Sequence, residues 1–187
     1  MFNSQRLVGI WRYTGLIAVV LAWIVIAVSI AYNPWFNLFK YALSDLGDPR
    51  RANLPWIYNT GLIATGAVAS VYSFYLAYRS TSKIHTFASA QVFVAGLFLA
   101  LIGVFPSGTR PHVFVSVWFF IQMWLALLAT LTGMVVEQRK THATLLGLLA
   151  VIGPTGALLV KWPSVAILEI YGIIIINIYV AVLTKTF

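Results

Sequence analysis

Residues 13–32 read YTGLIAVVLAWIVIAVSIAY, a long run without a single charged side chain. A bilayer core about 30 Å thick requires about 20 apolar residues in a helix. Backbone N–H and C=O groups cannot stay unpaired in lipid, so such a run crosses a membrane as a helix. The basic start and a faint cleavage signal at residues 29–31 also fit a signal peptide, but the run is longer than an ordinary signal core. We therefore predict a retained first spanning helix.

The composition extends this interpretation to the whole chain. Hydrophobic residues make up 61% of the 187 residues, charged residues 9%, and the mean hydropathy is +0.92. Soluble globular proteins lie far from these values. Polar or proline-containing breaks separate five further apolar runs. We predict an all-α, single-domain bundle of six transmembrane helices over residues 1–187, with spans at about 13–32, 56–78, 86–105, 113–136, 143–160 and 165–183.

Charge and cysteine content exclude several function classes. The net charge is +8, but the Lys and Arg residues are scattered between the apolar runs, so we expect no nucleic-acid partner. The chain has no cysteine, which excludes disulfides, thiolate catalysis and Cys-ligated metal sites. The sequence implies no cofactor.

Basic residues near the span ends predict the orientation. Seven Lys and Arg residues fall on the side of the two termini, and five fall on the other side. Cytoplasmic loops carry the excess of positive charge. We predict a multi-pass protein of the cell membrane with both termini cytoplasmic, so that the long first loop faces outward.

That first loop holds two of the four acidic residues of the chain, in YALSDLGDPRRANLPWIYNTGL at residues 41–62. Apolar residues at helical spacing predict a short helix in the membrane interface that ends at Gly47; they are Trp35, Phe36, Phe39 and Leu43. The alternative is a capped turn, in which Ser44 and Asp45 bind local amides and Asp48 opens a second turn.

Polar residues from separate segments should meet at this outer face. We expect a binding site formed by Ser44, Asp45, Asp48, Arg50, Arg51, Asn59, Arg110, His112 and Glu169. The arginines would bind a small anion or a lipid headgroup, and Asp45 should be held by local hydrogen bonds or by an arginine.

Glu169 should face the bundle, because a carboxylate in lipid is costly. Its expected partners are Arg110, Lys161, Asn59 and His112. The alternative is a lone carboxylate that reaches the headgroups or takes up a proton.

Three segments carry a resemblance to a known family. They are LSDLGDP at 43–49, YNTGLIATG at 58–66 and GVFPSGTRPH at 103–112. Together they resemble the archaeal and bacterial multi-pass membrane proteins called domain of unknown function 998 (DUF998). The matching positions are Ser44, Leu46, Gly47, Asn59, Gly61, Pro106 and His112. The resemblance covers most of the chain and implies a six-helix fold, but it supplies no activity and no cofactor.

Other functions stay open, and no catalytic residue is assigned. A membrane hydrolase would need a metal cluster or a triad. Two candidate metal clusters lack a recognised ligand spacing. One, on the predicted outer face, is His112 with Asp45 and Asp48; the other, on the cytoplasmic face, is His85 with His142 and Glu137. Ser44 and His112 lack the strained turn that exposes a nucleophilic serine. Stripes of small residues in the spans leave open a third function, an accessory subunit of a larger membrane complex.

Overall fold

The computed structural model describes residues 9–187 of the chain. Within them lie six helices long and apolar enough to cross a membrane. They are α1 (Thr14–Tyr32), α2 (Pro55–Arg79), α3 (Lys83–Val104), α4 (His112–Val136), α5 (Lys140–Leu159) and α6 (Val165–Thr186). Each predicted span coincides with one of these helices to within three residues at either end. Arg6, which contributes to the predicted charge bias, lies outside the described residues.

Local sequence signals set the helix starts. Pro55 is the first residue of α2, where the absence of its N–H costs nothing. The hydroxyls of Ser82 and Ser164 accept hydrogen bonds from the N–H groups of His85 at 3.2 Å and Ile167 at 3.1 Å. These side chains cap the first turns of α3 and α6.

The helices form a ring in chain order. Each helix packs on the next one in sequence, and α6 returns to α1 to close the ring. The contacts among α2, α3 and α4 are the most extensive, whereas α5 and α6 pack more loosely. A ring of this kind leaves space along its axis.

Small residues let α2 approach both of its neighbours. A Cβ atom at Gly66 would collide with the carbonyl oxygen of Gly96 on α3, and one at Gly61 would collide with Val25 on α1. Close backbone approach is what small residues at this spacing provide. The stripe on α2 is therefore used inside the chain and gives no support to the accessory-subunit alternative.

The two ends of the ring differ in their polar groups. We call the end with residues 33–54 and 105–111 the loop end, and the opposite end the terminal end. Near the terminal end, hydroxyl pairs join α6 to its partners: Tyr72 with Thr184 at 3.2 Å, and Thr130 with Tyr179 at 2.8 Å. These pairs hold α6 where its apolar packing is loose.

The first loop contains a short helical element, as expected, but it is shorter than the apolar spacing predicts. Its only regular element is a 3-10 turn over Leu43–Gly47, which ends at the glycine as expected. Leu43 and Leu46 are 1% and 0% exposed, whereas Phe39 is 66% exposed, so these residues do not share one apolar face. Ser and Asp side chains that bond local amides favour a turn over an α-helix. The turn inserts into the loop end of the ring, where Leu43 and Leu46 are buried.

Candidate functional site

A cavity of about 120 Å³ lies inside the ring. Mostly apolar side chains from α1, α2, α3, α4 and α6 line it, together with the 3-10 turn. On α2 the lining residues extend from Tyr58 to Tyr72, a distance of about 21 Å along the helix. An apolar cavity of about 150 Å³ can bind benzene, so the present one has room for a narrow apolar group.

Polar side chains gather at the loop end of this cavity. They are Ser44, Tyr58, Ser116 and Glu169, and the three on helices lie about one turn from the helix start. The hydroxyl of Ser116 is buried and has no hydrogen-bond partner among residues 9–187. Buried polar groups nearly always have partners. The Ser116 hydroxyl thus marks a position where a polar atom from outside the protein would fit.

Glu169 lies inside the ring, as the sequence predicts. Its Oε2 atom accepts a hydrogen bond from the backbone N–H of Leu43 at 2.6 Å. The donor is not one of the four side chains expected from the sequence. Leu43 opens the 3-10 turn, where an N–H has no partner within the turn itself. The inserted turn reaches the carboxylate with its backbone and supplies that N–H.

The outer side of the 3-10 turn is held by Asp45 and Asn59. The carboxylate of Asp45 accepts hydrogen bonds from the Ala42 N–H at 3.1 Å and the Ser107 hydroxyl at 3.3 Å. Asn59 donates its side-chain N–H to the Gly47 carbonyl at 2.9 Å. The expectation of local hydrogen bonds at Asp45 is confirmed, and the bonds fix the turn to α2 and to the loop between α3 and α4.

Asp48 and Arg50 form a bidentate ion pair. The Arg50 guanidinium donates from Nε at 3.0 Å and from Nη2 at 2.9 Å to the two carboxylate oxygens. The side-chain bond from Arg50 lowers the pKa of the Asp48 carboxyl below its usual value. The Arg50 side chain is 72% exposed, so it also contacts solvent. The aspartate neutralises most of the charge that Arg50 would offer to an anion.

Arg51 is held by aromatic rings. Its guanidinium carbon lies 3.9 Å from the centre of the Tyr41 ring and 4.3 Å from that of Trp35. Its Nη1 atom is 4.0 Å from Asp45 Oδ2. Cation–π contacts of this kind are worth about 0.5–1 kcal/mol at exposed sites. Arg51 therefore stabilises the loop rather than presenting a free cation.

Arg110 lies in the loop before α4 and His112 is the first residue of α4, and neither lines the cavity. Arg110 is exposed and forms no ion pair within the described part of the chain. His112 is 8% exposed, and its Nδ1 atom lies 2.8 Å from the Phe105 carbonyl, to which it donates. That bond links the end of α3 to the start of α4.

The two proposed hydrolase clusters do not assemble. At the terminal end His85 Nε2 lies 3.1 Å from Glu137 Oε1, but His142 does not complete a set with them. Nowhere in residues 9–187 do three His, Asp or Glu side chains gather closely enough to hold a metal ion. The ring nitrogen of His112 that bonds to Phe105 does not face Ser44. Neither proposed metal cluster is therefore assembled within residues 9–187.

The cavity and two of its polar residues, Tyr58 and Ser116, were not predicted from the sequence. Both lie one turn inside apolar helices, where isolated Tyr and Ser residues are ordinary. Their distance from the helix starts could have indicated that they lie at one level, because Glu169, Tyr58 and Ser116 all come three or four residues after the start of a helix. Aligning the spans by their starts would have brought the three together.

A comparison with protein families finds one match. The model described as "Protein of unknown function (DUF998)" matches residues 16–185. No curated protein and no solved structure matches the chain.

Proposed function

This chain belongs to the DUF998 family, and we propose that it is a multi-pass membrane protein that binds a single-chain amphiphile inside its helix ring. The apolar tail occupies the central cavity. The head group is a hydrogen-bond donor, an alcohol or an amine, that meets Glu169 and Ser116 at the loop end. The observation that carries the proposal is a carboxylate at one end of a mostly apolar cavity.

The head-group chemistry follows from the atoms that remain to be paired. A buried carboxylate is costly unless hydrogen bonds or a cation compensate it. The Leu43 N–H occupies Oε2 of Glu169, so Oε1 is the atom left for a ligand. The Ser116 hydroxyl beside the same cavity also has no partner within the described residues. An alcohol can donate to Glu169 and accept from Ser116, and an amine can donate to both.

The tail chemistry follows from the shape of the cavity. Its volume of about 120 Å³ is spread along about 21 Å of α2, so it is narrow. One alkyl chain matches that form better than a lipid with two chains. α6 contributes Glu169, Ile173, Ile176 and Val180 to the lining and packs loosely on its neighbours. The cavity is smaller than one that binds benzene, so a ten-carbon chain needs α6 to move outward, which would both widen the cavity and admit the chain from the bilayer.

A small anion at the loop end is the second candidate. Arg110 is exposed, and the guanidinium of Arg50 lies against Gly108, which has a positive φ of +87°. The two arginines therefore belong to adjoining surfaces. Asp48 compensates Arg50, which leaves Arg110 as the main source of positive charge. In this case an acidic amphiphile would bind through its head group at the surface.

Three probes with one chain length separate the candidates: decanol, decylamine and decanoate. Each is added to the purified protein in detergent, and binding is measured by native mass spectrometry. We expect decanol and decylamine to bind. The affinity for decylamine should fall by about tenfold or more in Glu169→Gln, because a hydrogen bond to a charged group is worth about 1.5–3 kcal/mol. Glu137→Gln, which changes a carboxylate at the terminal end, is the matched control.

Different results would reject the cavity site. Equal binding of decylamine to the wild type and Glu169→Gln would remove Glu169 from the proposal. Preferred binding of decanoate, lost in Arg110→Gln, would support the surface anion site instead.

The orientation of the chain is a further part of the proposal. The excess of Lys and Arg on the side of the termini supports a cytoplasmic terminal end and an outward loop end. Reporter fusions after Phe187 test it. We expect activity of a cytoplasmic reporter and none of an extracytoplasmic one, and the reverse pattern would place the loop end in the cytoplasm.

A further inference from the structure

A second, smaller cavity lies near the terminal end, beside a buried histidine. His85, in the first turn of α3, is 3% exposed. The edge of its ring packs against Phe187, with 5.1 Å between ring centres and 78° between planes. A Cβ atom at Gly133 would collide with the other side of the ring. The imidazole is therefore fixed, and both of its nitrogens need partners.

Neither ring nitrogen of His85 has a well-aligned hydrogen bond among residues 9–187. His85 Nε2 lies 3.1 Å from Glu137 Oε1, a short contact that is too bent for a well-aligned hydrogen bond. Because a carboxylate oxygen only accepts, the proton of the neutral ring belongs on Nε2. The Nδ1 atom is then a bare acceptor, and it is buried without a partner among residues 9–187.

The cavity beside this ring has a volume of about 10 Å³. That is room for about one water molecule and for no larger ligand. Polar side chains in its lining are His85, Ser89, Thr130 and Tyr179. A cavity that is polar and large enough holds water when the water finds two to four partners.

The hydroxyl groups provide the remaining partners. Ser89 donates to the Thr86 carbonyl at 2.7 Å, so its oxygen is left to accept. Thr130 donates to the Ala126 carbonyl at 2.9 Å and therefore accepts from Tyr179 at 2.8 Å. The Tyr179 oxygen also keeps a free lone pair.

We infer that this cavity is a binding site for one water molecule, which donates a hydrogen bond to His85 Nδ1 and a second one to Ser89 or Tyr179. The water satisfies the buried nitrogen and fixes the ring with its proton on Nε2. With Tyr179 as the second partner, it connects α3 to α6, the loosely packed helix of the ring. The site is independent of the amphiphile proposal, because it lies at the opposite end of the ring.

Solid-state NMR of the full chain in lipid bilayers, with ¹⁵N-labelled histidine, tests the inference at neutral pH. His85→Gln identifies the His85 signals. We expect Nδ1 to be unprotonated but hydrogen-bonded, and to receive magnetisation from water protons. An Nδ1 without a hydrogen bond, a protonated Nδ1, or the absence of transfer from water would overturn the inference.

A pair of serine variants tests the position of the water. Ser89→Val fills the cavity with methyl groups and should abolish the transfer to Nδ1. Ser73→Val is the matched control, since Ser73 is also 3% exposed and also donates to a carbonyl three residues earlier at 2.7 Å. Unchanged transfer in Ser89→Val would place the water elsewhere. Should Ser89→Val fail to fold, the wild-type spectrum alone decides.

Discussion

The backbone N–H of Leu43 donates to Glu169 Oε2 at 2.6 Å, although 126 residues separate the two along the chain. The bond joins the 3-10 turn of the first loop to the sixth helix. It also places the turn across the loop end of the central cavity, where Leu43 is 1% exposed. The Glu169 carboxylate thus fixes the 3-10 turn to α6 and provides the polar end of the proposed ligand site.

Replacing Glu169 should therefore affect stability as well as binding. Glu169→Leu leaves the Leu43 N–H buried and unpaired, which costs about 1–3 kcal/mol. Glu169→Gln keeps an acceptor oxygen and should lose less. Thermal unfolding in mild detergent measures both variants against the wild type. Equal midpoints for Glu169→Leu and the wild type would mean that the bond does not stabilise the loop end.

Two threonines on α4 provide a test of the hydroxyl pair at the terminal end. Thr130 and Thr132 each donate to the carbonyl four residues earlier at 2.9 Å, but Thr130 is 1% exposed and also bonds to Tyr179. Thr130→Val should lower the free energy of unfolding by about 1–2 kcal/mol, because the buried Tyr179 hydroxyl loses its acceptor. Thr132→Val, at an exposed position, should change it by less than about 0.5 kcal/mol. Similar losses in both variants would contradict the assigned role of Tyr179.

Two glycines should respond to alanine in opposite directions. A Cβ atom at Gly66 would meet the backbone of α3, whereas one at Gly147 on α5 meets nothing within 4 Å. Gly66→Ala should separate α2 from α3 and lower the thermal midpoint. Gly147→Ala should raise stability by about 0.5–1 kcal/mol, the gain expected for alanine over glycine in a helix. A stabilising Gly66→Ala would argue against the close approach of α2 and α3.

Asp45 should matter more than Asp48 for the stability of the first loop. Asp45 joins Ala42 to Ser107, which lies 62 residues away, while Asp48 bonds to the nearby and mostly exposed Arg50. Although Asp48 is buried, its partner Arg50 is 72% exposed, so solvent weakens their ion pair. Asp45→Asn should lower the thermal midpoint more than Asp48→Asn. The reverse order would mean that the Arg50 pair holds the loop.

The lowered pKa of Asp48 predicts an acid-dependent loss of stability. A carboxyl whose folded pKa is below its usual value of 3.8 stabilises the folded state above that pH. This contribution is lost as the pH falls through the lowered folded pKa. Thermal midpoints measured from neutral pH to below pH 3.8 should fall less steeply at the acid end in Asp48→Asn than in the wild type. Parallel curves would show that the Arg50 bond adds nothing to stability.

The helices could be predicted from the sequence, but the partners of the polar residues could not. Apolar runs of bilayer length force helices in lipid whatever their neighbours, which is why the ends of α2 and α4 could be predicted to within one residue. The burial of Glu169 also followed from the cost of exposing a carboxylate to lipid. Its partner did not, because a backbone N–H from a distant loop leaves no mark in the side-chain pattern. The short helix expected in the first loop is a 3-10 turn over Leu43–Gly47, and its packing could not be predicted for a related reason: Leu43 contacts the ring, a tertiary contact that the local apolar spacing does not indicate.

Photolabelling detects directly whether an amphiphile binds inside the helix ring. Decanol carrying a diazirine in its chain is added to the protein in lipid bilayers and irradiated, and the labelled residues are mapped by mass spectrometry. Ala69→Leu narrows the cavity, and Ala67→Leu on the exposed side of the same helix is the matched control. We expect labels on Ile173 and Ile176, which should be lost in Ala69→Leu and kept in Ala67→Leu. Labels confined to outward-facing residues such as Leu158, which is 82% exposed, and equal in all three proteins would contradict this expectation.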